Sequence, residues 1–151
     1  VYALPDIEDP VMNGPFGKVG GFQWGEDSSG TSSLFNLPLD DIEVYSVANN
    51  MSGSNLYIPT GKTADQLVTA FRHKTLNLIW TGDGGFLSTY HLTSNTAYPC
   101  KIDAETKRPI PYTGTGSGFG RGTPKYSVYN SQFFANAIAW GFSQTDGHTD
   151  E

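Results

Sequence analysis

The sequence predicts a mainly β fold: a single antiparallel β-sandwich or barrel-like domain with one short helix. Composition is the first reason. Gly (18), Pro (9) and the aromatic residues (13%) are plentiful, while charged residues make up only 16%. That mixture suits many turns and short strands, and it disfavours helical bundles, which need Ala, Leu, Glu and Lys. Patterning is the second: several short runs alternate apolar and polar side chains, with turn residues between them. Length is the third, since 151 residues suit one domain with one core.

Residues 1–20 carry Pro5, Pro10 and Pro15 with Gly14, Gly17 and Gly20, and are expected as an extended arm over a domain surface or leading into it. Residues 21–143 form the β-rich domain, and residues 144–151 an acidic tail. Within the domain, Gly21–Gly25 predicts a short strand and residues 26–33 an exposed loop. Ile42 and Val44 face one way and Glu43 and Tyr45 the other, the pattern of a half-buried strand over 41–47. Residues 49–55 are a loop rich in Asn, Ser and Gly.

The run Thr60-Gly61-Lys62-Thr63 resembles the end of a phosphate-binding loop. Such a loop needs a glycine where Leu56 stands, and Pro59 removes an amide. Thr63-Ala64-Asp65-Gln66 has instead the form of a capping box. It predicts the one helix, over 64–74, with Leu67, Ala70 and Phe71 on one face and Arg72, His73 and Lys74 in the last turn. A hairpin is expected next, pairing 76–80 with 86–92 around Thr81–Gly85, where Asp-Gly-Gly suits a tight turn. Residues 104–111 are a surface connection. Gly114–Gly122 has glycine at alternate places but no dinucleotide or nucleophile-elbow frame. Beyond Pro124, the apolar residues Tyr126, Val128, Phe134, Ile138, Trp140 and Phe142 all fall at even positions. That predicts one long strand, or two joined at a bulge near Asn130.

Little here builds chemistry. A net charge of −6 opposes binding to nucleic acid. No run is long enough to span a membrane, and the first residues lack the pattern of a signal peptide. His73, His91 and His148 have no metal-ligand spacing, and Cys100 has no cysteine partner, so neither a metal nor a cofactor is expected. The candidates for catalysis are His91 as a general base beside Tyr90, with a carboxylate such as Asp27 orienting the ring. They would make a small hydrolase. Without a supporting motif, a strand histidine on a half-exposed face is the simpler role.

The loops say more. Tyr, Trp, Asn, Ser, Thr and Gly crowd 26–33, 49–57, 93–98 and 112–130, the chemistry of adaptable recognition surfaces that suit proteins or glycans. Tyr57, Tyr98, Tyr112, Phe119, Arg121 and Tyr129 are the expected contact residues. In the glycine-rich stretch, Phe119 and Arg121 are the large side chains, and a neighbouring subunit is their expected cover.

Phe22-Gln23-Trp24-Gly25, Leu37-Pro38-Leu39, Ile42-Glu43-Val44 and Asn55-Leu56-Tyr57-Ile58-Pro59-Thr60 together resemble the surface-projecting domain of insect picorna-like virus capsid proteins. The resemblance implies a small β-rich domain on a virion surface, used in host attachment or cell penetration. Its partners would be a host receptor or glycan and neighbouring capsid subunits. Some such domains carry an Asp-His-Ser cluster. Here Asp27 or Ser29 lies near the acid's place, but Met12-Asn13 stands where the His-Ser pair belongs. The expected function is therefore non-enzymatic surface recognition, on a virion or otherwise extracellular. A microbial adhesin or lectin-like glycan-binding domain is the alternative, and the His91 hydrolase the other.

Overall fold

The computed structural model describes residues 2–25, 31–48, 57–83, 86, 100–114 and 126–145. Its centre is a three-stranded antiparallel sheet of β3 (Ile42–Val47), β4 (Val68–His73) and β5 (Ile79–Thr81), with β4 in the middle. Two short strands, β1 (Asn13–Gly14) and β2 (Gly17–Lys18), make a small separate ribbon. One long helix, α1 (Asn130–Ser143), closes the described chain.

The strand expected at 41–47 forms as β3. It pairs with β4 from Ile42 opposite His73 to Val47 opposite Val68, with irregular register around Ser46. The sheet is covered on both faces. On one side Tyr45, Ala70 and Ile79 meet Val11, Trp24 and Phe133; on the other Ile42, Val68, Phe71 and Trp80 meet Leu4 and Leu37.

That double burial corrects the predicted helix at 64–74. The capping box at Thr63–Gln66 is present, with the Thr63 amide donating to Gln66 Oε1 at 3.1 Å. It opens only a single 3₁₀ turn, Ala64–Gln66, and the chain then extends as β4. A strand buried on both faces needs a buried run without alternation, and Leu67-Val68-Thr69-Ala70-Phe71, apolar but for Thr69, supplies it. Over so few residues such a run has the same look as a helical stripe.

The opposite correction applies to the strand expected beyond Pro124: Asn130–Ser143 is an α-helix. Positions 134, 138 and 142 are all even, but they are also four apart, the spacing of one helix face. Ala135, Ala137 and Ala139 favour helix, and among residues 130–143 only Ile138 is β-branched. Phe133, Asn136, Ala137 and Trp140 form the inner face.

β5 pairs with β4, Phe71 lying opposite Trp80, so the connecting turn is 74–78. The proposed second strand, 86–92, lies outside the described residues apart from Phe86, which is buried against Trp24. The turn after β5 does use its glycine. A Cβ on Gly82 would fall 1.9 Å from the Ser32 carbonyl oxygen, because the Ser32 amide donates to the Gly82 carbonyl at 2.7 Å.

Residues 2–20, expected as an arm over the domain or leading into it, send four apolar side chains inward. Ala3, Val11, Met12 and Val19 are buried in the main core. The Leu4 amide donates to the Tyr45 carbonyl at 2.8 Å, which ties the segment to the free edge of β3. At the other end, Gln144 and Thr145 continue the last turn of α1 through hydrogen bonds to Trp140, Gly141 and Phe142. The rest of the predicted tail lies outside the described residues. Among the described residues no helix is long and apolar enough to cross a membrane. They form antiparallel sheets and a helix, with no closed barrel.

Candidate contact surface and the polar clusters beneath it

Three buried polar clusters hold the elements together. In the first, Asp9 is anchored under the sheet, its side chain 1% exposed. Its Oδ1 accepts from the Val11 amide at 2.8 Å and the Tyr45 hydroxyl at 2.7 Å. Its Oδ2 accepts from Arg72 Nε at 2.9 Å and Nη2 at 2.7 Å. Two guanidinium N–H groups thus converge on one carboxylate oxygen, each a charge-assisted hydrogen bond. Trp140 of α1 covers the guanidinium at 5.2 Å from its ring centroid, a cation–π contact in a partly desolvated place. Loop, sheet and helix therefore meet at one charge pair.

Protonation follows from that geometry. Burial first, then the hydrogen bond to the Asp9 carboxylate, pushes the Tyr45 hydroxyl far above its ordinary pKa. Burial opposes the charge on Arg72, but the hydrogen bonds and charge of Asp9 outweigh it and raise its pKa. Both groups keep their protons, so the cluster is a fixed tie and moves no proton near neutral pH.

The second and third clusters are asparagines on the inner side of α1. Asn130 donates to the carbonyls of Gly25 and Phe86, both at 2.8 Å, and accepts from the Gly25 amide at 2.9 Å. Asn136 donates to the carbonyls of Val11 and Gly17, both at 2.9 Å, and accepts from the Phe16 amide at 2.8 Å. Each amide satisfies three backbone groups. Gly14 makes room: a Cβ there would sit 2.4 Å from the Asn136 side chain.

Other reactive groups are held down. Burial, partly offset by a hydrogen bond with Ser131, pushes the Cys100 thiol up to about 11, so at neutral pH it is an unreactive thiol. His73 Nδ1 accepts from the amides of Thr75 and Leu76 at 3.2 and 3.1 Å in an exposed turn. Asp103 is held below the usual carboxylate range by the amide and hydroxyl of Thr106 and the amide of Glu105. A pocket of about 10 Å³ opens beside Ser46, Thr69, Thr81 and Asp83, roughly room for one water molecule. Ser46 and Thr69, both on its wall, bond each other at 2.6 Å. Among the described residues no three His, Cys, Asp or Glu side chains are grouped to hold a metal ion.

Of the expected contact residues, Tyr57 stands in solvent at 83% exposure. Tyr129 is half-buried, stacked on Phe22 at 4.2 Å, and stands at the start of α1. Tyr112 bridges to Val128 and packs on it, with Lys101 Nζ 4.9 Å from its ring. Tyr98, Phe119 and Arg121 lie outside the described residues, as do the catalytic candidates His91, Tyr90 and Asp27.

Tyr57 has company that loop composition did not single out. Lys62 bonds the Asn36 side chain and lies 5.3 Å from the Phe35 ring centroid. It thereby ties 57–62 to 34–39. Phe35, Leu39, Tyr57 and Ile58 are all exposed on these two segments. A second apolar set was also missed, Phe134, Ile138 and Phe142 on the outer side of α1. Its four-residue spacing was the signal, and alternation hid it.

Comparisons with protein-family models, with curated proteins and with solved structures found no match to this chain.

Proposed function

We propose that this chain is a non-enzymatic recognition module displayed on a surface, most simply the projecting domain of a viral capsid protein that engages a host receptor or glycan. One observation carries the reading. The buried polar clusters at Asp9, Asn130 and Asn136 are spent on holding the fold, while large apolar and aromatic side chains stand outside on the tied segments 34–39 and 57–62. Aromatic anchors among small polar groups are what protein and sugar surfaces bind. The viral assignment rests on the sequence resemblance at 22–25, 37–39, 42–44 and 55–60. The same reading takes the mainly β architecture to be a sandwich or barrel-like domain.

Surface plasmon resonance on host-cell membrane fractions, with a glycan array in parallel, tests the function. Parent protein should bind, and Tyr57→Ala combined with Phe35→Ser should lose about tenfold or more in affinity, as loss of a central aromatic anchor does. Binding that is unchanged in the double variant would remove this surface from the reading. Ester or glycoside hydrolysis by the parent that disappears in His91→Ala would replace the reading with an enzyme.

A further inference from the structure

We infer that the outer face of α1 is a two-fold contact between two copies of this chain, the helices packed antiparallel through Phe134, Ile138 and Phe142. The inference deepens the reading of the chain as a subunit that meets neighbouring copies, but it rests on a different surface from Tyr57. The three side chains lie four residues apart, so they line one side of the helix. They are 42%, 44% and 69% exposed. Contiguous exposed apolar stripes of this kind mark interaction sites.

Charge narrows the occupant. The chain carries −6, so two copies repel wherever their acidic surfaces face each other. None of the 14 residues of α1 is charged. A second copy can therefore approach along this helix without setting acid against acid. An antiparallel two-fold packing lays the stripe on its own copy, residue i against j and j against i. With the axis through Ile138, that residue meets its own copy, and Phe134 meets the partner's Phe142. Gly141 lies beside the stripe, and a Cβ there would meet nothing within 4 Å. One pair of short helices buries less than the roughly 1,200–2,000 Å² of a standard interface. The free domain should accordingly dimerise weakly, and more fully where copies are crowded on a particle.

Sedimentation velocity over a wide range of protein concentration reads the association directly. The parent should pass from monomer to dimer as concentration rises. Ile138→Lys places two like charges on the axis and should stay monomeric throughout, with unchanged circular dichroism and urea midpoint. Should Ile138→Lys lose its fold, Ile138→Ser serves, with a dimer at least tenfold weaker. Ile138→Cys should form a disulfide-linked dimer under mild oxidation, whereas Leu76→Cys, more exposed and in the turn 74–78, should not. A parent that is monomeric at every concentration overturns the inference, as does a dimer that survives Ile138→Lys. Flotation of the parent with phosphatidylcholine vesicles, lost in Ile138→Lys and without any dimer, assigns the stripe to a lipid surface and overturns it too. Loss of receptor binding through Tyr57 leaves all these outcomes untouched.

Discussion

The two sides of α1 are made of similar residues and are treated in opposite ways. On the inner side, Phe133 sits among Trp24, Tyr45 and Phe86, with ring centroids 4.9, 5.9 and 5.3 Å away. Asn136 and Trp140 on that side reach the first twenty residues and the Asp9–Arg72 pair. On the outer side, Phe134, Ile138 and Phe142 stand exposed. Adjacent phenylalanines, 133 and 134, thus face the core and the solvent. Apolar character alone does not decide burial; the position on the helix does, once the other elements have chosen a side. The inner face serves the fold, and the outer face is left to serve something else.

Breaking the inner side should cost most at the charge pair. Arg72→Met leaves the Asp9 carboxylate buried without its counter-charge, and should lower the free energy of unfolding by about 3–5 kcal/mol. Combining it with Asp9→Leu should recover part of that loss, which a double-mutant cycle in urea would read as strong coupling. Phe133→Ala should cost about 3–5 kcal/mol, as large core truncations do. Phe134→Ala, one residue along, should cost less than about 1 kcal/mol. Equal losses at 133 and 134 would erase the contrast between the faces.

Alkaline pH sharpens the contrast in another way, because the groups that titrate late are on the buried side. The Cys100 thiol rises from 9.0 to about 11 on folding, and the Tyr45 hydroxyl is raised as well. Between those thiol values the unfolded chain loses its proton while the folded one keeps it, so stability falls as pH rises. For Cys100 alone the loss across that window is about 3 kcal/mol. Urea midpoints measured from pH 8 upward should fall in the parent and fall less steeply in Cys100→Ala. The smallest of the inner-face effects is expected at Asn136. Asn136→Ala leaves the Phe16 amide and two carbonyls to find other partners, at about 1–3 kcal/mol. Thermal melts should show the decrease, with faster amide exchange at Phe16.

Some of the fold was legible from local chemistry. Ile42–Val47 alternates and forms a strand; Thr63–Gln66 has the capping-box residues and forms the box. The tight turn expected at Thr81–Gly85 lies partly outside the described residues, and the strand before it pairs with β4. The two elements that exchanged type show the limit. Leu67–Phe71 and Phe134–Phe142 are both apolar enough to be strand or helix. A strand covered on two faces loses its alternation, and a helix sampled every fourth residue acquires an apparent one. Of the candidate contact residues, Tyr57 alone among those described stands mainly in solvent. Tyr112 and Tyr129 have the same composition-level signature, but they have neighbours to pack on.

By itself the sequence determined what depends on neighbours along the chain: the turns, the capping box, the alternating strand, the low charge, and the lack of a spaced catalytic or metal motif. The tertiary structure decided what depends on residues far apart. Asp9 and Arg72 are separated by 63 positions, and Asn136 and Val11 by 125. No local pattern announces that such groups will share a bond, because their meeting depends on how every intervening segment folds. The same is true of exposure. Whether Phe133 or Phe134 is covered depends on which way α1 turns when it docks, and that is set by the sheet, the first twenty residues and two asparagines.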